Sequence, residues 1–128
     1  MTDPVVSICA ILVILQIKHF VCDYPLQNSY QLLNKGTYMH PGGLLHAGLH
    51  ALFTVPAFLV IAPTLALGLG ILAGEFVVHY HIDWEKEQVI RRTGWTPAQT
   101  HFWWAIGFDQ LLHQLTYIVI LALLVGTA

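Results

Sequence analysis

Four pairs of ligand-type side chains recur at one spacing in this chain. They are His19 and Asp23 in HFVCD, His46 and His50 in HAGLH, His79 and Asp83 in HYHID, and Asp109 and His113 in DQLLH. Residues four apart on a helix lie one above the other on a single face, so each pair converges on one point. Chance is a poor source of the pattern. With 8 histidines in 128 positions, three Asp–His pairs at helical spacing arise in under about one sequence in a hundred. Imidazole and carboxylate together suit Zn²⁺, Mn²⁺ or Fe²⁺ better than Ca²⁺ or Cu(I). Five histidines and three aspartates exceed what one ion takes, so two divalent transition metal ions are expected, zinc first, with manganese or iron as substitutes.

Elements of a particular kind must carry these pairs. The chain is 56% hydrophobic and only 9% charged, against roughly a quarter charged in soluble domains. Its apolar runs each approach the roughly 17–25 residues of a spanning helix. The reading is an all-α integral membrane four-helix bundle of up-down topology, one domain over 1–128, with helices over about 5–23, 43–62, 64–83 and 97–126. The second and third are joined only by the IAPT turn at Pro63, which predicts a tight hairpin. TPAQ at 96–99 reads as the start of the last helix, with Thr96 capping and Gln99 reaching back. In this topology the four pairs, at the ends of the first and third helices and the starts of the second and fourth, fall on one side of the bundle. Gly70 and Gly74, four apart, would permit close helix contact.

Charge sets an expected orientation. Lys18, Lys35, Lys86, Arg91 and Arg92 all lie at or beyond the helix ends that bear the pairs, and Trp84, Trp95, Trp103 and Trp104 cluster there too. The positive-inside rule puts those ends in the cytoplasm and both termini on the outer side, in a bacterial inner membrane. MTDPVV lacks the basic stretch of a secretory signal, so the first helix is expected to be retained. Cys9 and Cys22, on one helix and too far apart to meet, predict no disulfide.

Ionisable groups within a bilayer cost roughly 2.5–3.5 kcal/mol each on insertion scales and persist where they pair or work. Three carboxylates with only Lys18 as a basic neighbour call for a cation. Glu75 extends the stripe Glu75–His79–Asp83 and reads as a further ligand, an orienting group or a general base. His81 points off that stripe and reads as interfacial, while His40 and His101 read as solvated. Gln110 either supports the ligands or packs. Gln27, Lys35 and Lys86 lie just outside the ligand layer, where amide and ammonium donors suit a phosphate or an anionic lipid headgroup.

At HFVCDYPLQN, HYHIDWEK and DQLLH the chain resembles an uncharacterised bacterial and phage membrane family, the domain of unknown function 3307. The resemblance covers most of the chain. Its motif residues fall on His19, Asp23, Gln27, Lys35, His46, His50, His79, Asp83, Lys86, Asp109, Gln110 and His113. More distantly the chain is similar in style to membrane-bound metal-dependent hydrolases with histidine pairs on spanning helices.

Three functions compete at this level. A metal-dependent hydrolase of a phosphoester or lipid would use the ions to polarise a phosphoryl oxygen and supply hydroxide, with Asp83, His113 and Glu75 as the catalytic side chains. A metal transporter or binding protein without hydrolysis also uses intramembrane His and Asp, but the other half of the bundle offers no matching polar route. A redox protein with di-iron or haem is the third, and aspartate ligands fit haem poorly. The expected partners are the bilayer and an anionic lipid or phosphoester, with a homo-oligomer allowed for; nucleic acid is not expected.

Overall fold

The computed structural model describes residues 3–127, and these are all-α, with no strand among them. Helix α1 is Pro4–Asp23, α2 a single turn at Ser29–Leu32, α3 Pro41–Leu52, α4 Leu65–Thr93 and α5 Thr100–Val125, with a short 3₁₀ stretch Val55–Leu59 after α3. Four stretches are long and apolar enough to cross a bilayer: Pro4–Asp23, Pro41–Leu59, Leu65–Thr93 and Thr100–Val125. Large apolar side chains such as Val13, Ile17, Leu69, Leu111 and Ile118 point outward, a surface that suits lipid rather than water.

Helix α4 packs on both α3 and α5, and α1 closes the bundle against the same two helices. The apolar core is Ile11, Leu15, Ala57, Ile71, Tyr117, Ile120 and Leu124. Each long segment contributes to it from the stretch beyond its ligand pair, so greasy packing fills one part of the bundle and polar residues the other.

Several expected boundaries move. Helix α3 stops at Leu52, ten residues short of the expected 62, because Pro56 has no N–H for the carbonyl four residues back. The chain tightens instead, with Thr54 N–H donating to the Ala51 carbonyl at 3.1 Å. Thr64 then caps α4, its hydroxyl accepting from Leu67 N–H at 3.3 Å. The third helix does not end at 83 but continues to Thr93, since Glu85, Lys86, Glu87, Gln88 and Arg91 are all good helix formers. Gly94 stops it at a φ of 67°, a left-handed conformation that glycine adopts at little cost. At 29 residues and about 1.5 Å each, α4 is about 44 Å long, more than the about 30 Å of bilayer hydrocarbon. Its last turns are tied to the α2–α3 connection, where Gln88 Nε2 and Arg91 Nη1 donate to the Gly36 carbonyl at 2.7 and 3.1 Å. Helix α5 begins at Thr100 rather than 97. Gln99 does reach back, accepting from Thr96 N–H at 2.8 Å, but around a separate turn that precedes the helix.

The glycines that allow close packing are also different ones. A Cβ at Gly70 or Gly74 would meet nothing within 4 Å, whereas one at Gly43 would lie 3.3 Å from Tyr80 Cε2 and one at Gly48 3.8 Å from Phe76 Cε2. Gly43 therefore lets α3 come close to α4, while Gly48 would take a Cβ in ordinary contact. Cys9 and Cys22 are both free.

Candidate metal centre

His46 and His50 are set by the start of α3. His40 caps that helix, its Nδ1 accepting from Gly42 N–H at 3.0 Å, and Pro41 supplies a first turn that needs no donor. His40 is thus a half-buried structural residue rather than a solvated one. From this start, His46 and His50 are completely buried and face α4. Their rings meet His79 with centroids 5.2 and 3.8 Å away, and His79 meets His113 of α5 at 4.1 Å. Asp23, at the end of α1, closes the cluster with Oδ1 2.9 Å from His50 Nε2 and 3.3 Å from His46 Nε2.

Two groups in this cluster have ligand atoms close enough together to hold a metal ion: Asp23, His46, His50 and His79, and His79, Asp83 and His113, each with its ligand atoms within 4.8 Å of one another. His79 belongs to both. Asp83 spans the boundary, with Oδ2 3.3 Å from His46 Nε2 and 3.4 Å from His79 Nε2, and Oδ1 3.5 Å from His113 Nε2. Despite these approaches, His46 Nε2 and His79 Nε2 are buried and make no hydrogen bond of proper geometry. Burying a polar atom without a partner is costly. Two imidazole nitrogens left so in the middle of a carboxylate cluster are placed as ligands would be.

The remaining expected ligands stand beside these groups. Both nitrogens of His19 are engaged by protein: Nε2 donates to Gln110 Oε1 at 2.8 Å and lies 3.0 Å from Asp23 Oδ2, and Nδ1 shares a 2.7 Å hydrogen bond with Tyr117 Oη. His19 thus holds the second oxygen of Asp23. Asp109 approaches His113 Nε2 at 3.5 Å and accepts from Gln110 Nε2 at 3.1 Å. Gln110 therefore links two of the pairs. Glu75 is 2% exposed and is committed elsewhere. It forms an ion pair with Lys18 and accepts a hydrogen bond from the Thr54 hydroxyl. Lys18 accordingly lies inside the bundle, its ammonium also donating to the His50 carbonyl at 2.8 Å. His81 shares a 3.2 Å hydrogen bond with Tyr38 Oη, and His101 is exposed and stacks on Trp95.

Two supporting residues were not picked out from the sequence. Gln31 of α2 is buried and its Oε1 accepts from His46 Nδ1 at 3.2 Å, which leaves the His46 Nε2 lone pair facing the centre. No periodicity marks a residue in a short connecting turn. Tyr117 extends the stripe Asp109–His113–Tyr117, so the same four-residue spacing would have found it.

Gln27, Lys35 and Lys86 line one cavity of about 150 Å³ together with Asp23, Asp83 and Asp109. Lys35 Nζ lies 3.1 Å from Asp83 Oδ2, Lys86 Nζ pairs with Glu87 at 2.8 Å, and Gln27 Nε2 donates to the Asp23 carbonyl at 2.7 Å. This cavity leads to the carboxylates from outside the helical layer.

Residues 11–128 match the model of a family described as "Protein of unknown function (DUF3307)", the family that the motifs resemble. Neither a curated protein nor a solved structure matches the chain, and the likeness to membrane-bound hydrolases finds no support there.

Proposed function

This chain belongs to the DUF3307 family, and on that premise we propose that it is a membrane metalloprotein that hydrolyses a phosphoester with two divalent ions, zinc by preference. One observation carries the reading. The cavity lined by Lys35, Lys86 and Gln27 also exposes Asp23 and Asp83, one from each ligand group, so an anion drawn in by the ammonium groups arrives at the metal.

An imidazole that turns one nitrogen to the centre serves one ion. The cluster then divides into Asp23, His46 and His50 on one side and His79, Asp83 and His113 on the other. Three protein ligands per ion leave positions open for water and substrate, as in catalytic rather than closed sites. Divalent ions held there would lower the pKa of a water ligand and polarise a phosphoryl oxygen, so that hydroxide could displace the alcohol from phosphorus, the departing oxygen taking a proton from water. With Asp83 engaged as a ligand, Lys35 would lose its carboxylate partner and turn to the substrate. Asp83 and His113 keep the roles expected of them, while Glu75, held by Lys18, is not available as the base.

The up-down arrangement is supported by the order of the α3–α4 contacts, in which Gly43 meets Tyr80, His50 meets His79 and Thr54 meets Glu75. We propose with it, on the positive-inside rule alone, that both termini lie on the outer side and that the centre faces the cytoplasm of a bacterial inner membrane.

Zinc-loaded protein is expected to turn over p-nitrophenyl phosphate or phosphatidic acid, and Asp83→Ala or His113→Ala to bring turnover to background. Bound metal with no turnover of either compound would overturn hydrolysis and leave the metal-carrier reading. A Soret band in the absorption spectrum would point instead to haem. Gln31→Leu, which frees His46 Nδ1, is expected to weaken zinc binding by about 10–100-fold in a competition titration with a chelator. An unchanged affinity would remove Gln31 from the site.

A further inference from the structure

Beside the polar cavity runs an apolar one. About 320 Å³ lies between α4 and α5, walled by Val89, Trp104, Ala105 and Phe108 among others. A second space of about 380 Å³ continues along the same seam past Val78, Leu115 and Val119. The two share Ile82 and Leu112, so they form one trough. Midway along, between Ile82 and Val89 on α4 and between Ala105 and Leu112 on α5, the trough shares Lys86 and Asp109 with the cavity at the metal centre. The path is therefore apolar along the helices and becomes charged where it reaches Lys86 and the carboxylates.

We propose that this trough seats the acyl chain of a phospholipid whose phosphate headgroup enters the Lys35–Lys86 cavity. The inference deepens the hydrolase reading and rests on it for the headgroup site. From Asp109 to Val119 the trough follows α5 over a rise of ten residues, about 15 Å at about 1.5 Å per residue, enough to run through one leaflet, half of the about 30 Å hydrocarbon. Beyond the headgroup level, at the end of the trough away from Val119, stand Trp95, His101 and Trp104, with His101 stacked on Trp95 at 5.3 Å and edge-on to Trp104 at 5.0 Å. Aromatic side chains of this kind favour the membrane interface. Lys86, on the shared wall, is the ammonium that selects an anionic headgroup, and its three donors exceed what Glu87 alone takes up. An amphiphile lying here has its tail in a lipid-facing seam and its phosphate beside Asp83 and Asp109, with no need to leave the bilayer.

Native mass spectrometry of the full chain in detergent tests this without any turnover. The wild type is expected to retain one dipalmitoyl phosphatidic acid about tenfold more tightly than the phosphatidylcholine of the same chains. Thr116→Trp, which fills the trough on the tail side of Asp109, is expected to lower that retention about tenfold, with Val78→Phe on the opposite wall as the second variant should the first fail to fold. Lys86→Gln is expected to make the two lipids equal, and millimolar glycerol 3-phosphate to leave the bound lipid in place. Equal retention of both lipids by the wild type, or undiminished retention in the filled variants, overturns the proposal. So does displacement by glycerol 3-phosphate, which would show that the headgroup alone is recognised. Failure of hydrolysis shows separately, as absence of turnover by protein that still selects the lipid.

Discussion

Removing His79 is expected to cost this protein one of its two ions. His79 alone belongs to both ligand groups, and its Nε2 is buried with no hydrogen bond of its own. Wild-type protein purified without chelator should carry two equivalents of transition metal by elemental analysis. His79→Ala and His46→Ala should each carry about one, since each removes a ligand of one ion. His81→Ala, two residues along the same helix with its ring turned to Tyr38, should carry the wild-type amount. The loss should also appear as stability. An ion present at a hundred times its dissociation constant adds about 2.7 kcal/mol, so zinc should raise the melting temperature of the wild type in detergent far more than that of His79→Ala. A His79→Ala protein with full metal content would sink the two-group description, and a wild type with under about one equivalent would remove the metal centre altogether.

The second large effect concerns Lys18 and Glu75. Both side chains are at most 2% exposed, and breaking a buried pair by removing one partner costs about 3–5 kcal/mol, because the other charge is left uncompensated. Lys18→Met and Glu75→Gln are each expected to destabilise the bundle on that scale, measured by denaturant unfolding in micelles. The double variant should be more stable than the sum of the two losses implies, since glutamine still accepts from Thr54 and no charge remains. A coupling of about 0.5–3 kcal/mol is the range for residues in direct contact; simple additivity would show that the pair is not a unit. The same cycle separates structure from chemistry. If Glu75 were the catalytic base, Glu75→Gln would abolish turnover in protein that still folds and binds zinc, whereas a structural partner of Lys18 leaves turnover in whatever fraction folds.

Legibility in the sequence followed how local each feature is. The four-residue pairs could be read directly, and all eight of their side chains lie in or beside one cluster. The stripe that holds Glu75 could be read too, but not its partner. Lys18 was counted with the charges that orient the protein, because in sequence it stands at a helix end beside His19. Only the packing of α1 against its neighbours turns it inward to an acid far away in the chain. The helix ends missed by ten residues have an equally local explanation. Pro56 breaks a helix that hydrophobicity alone would continue, and ordinary helix formers carry α4 out of the apolar layer.

Composition and periodicity by themselves determined that the chain is helical, that four stretches are apolar enough for a membrane, and that each brings one ligand pair on one face. Those properties depend on side-chain type and on the fixed turn of the α-helix, both present in any short window. The tertiary structure decided which ligands stand together, that His79 lies in both groups, that His19 supports Asp23 from the side, and that Gln31 and Tyr117 orient the rings. It also decided that a charged cavity and an apolar trough meet at Lys86 and Asp109. Distances between helices are fixed by how closely their surfaces approach, as at Gly43 against Tyr80, and no spacing along one helix encodes them.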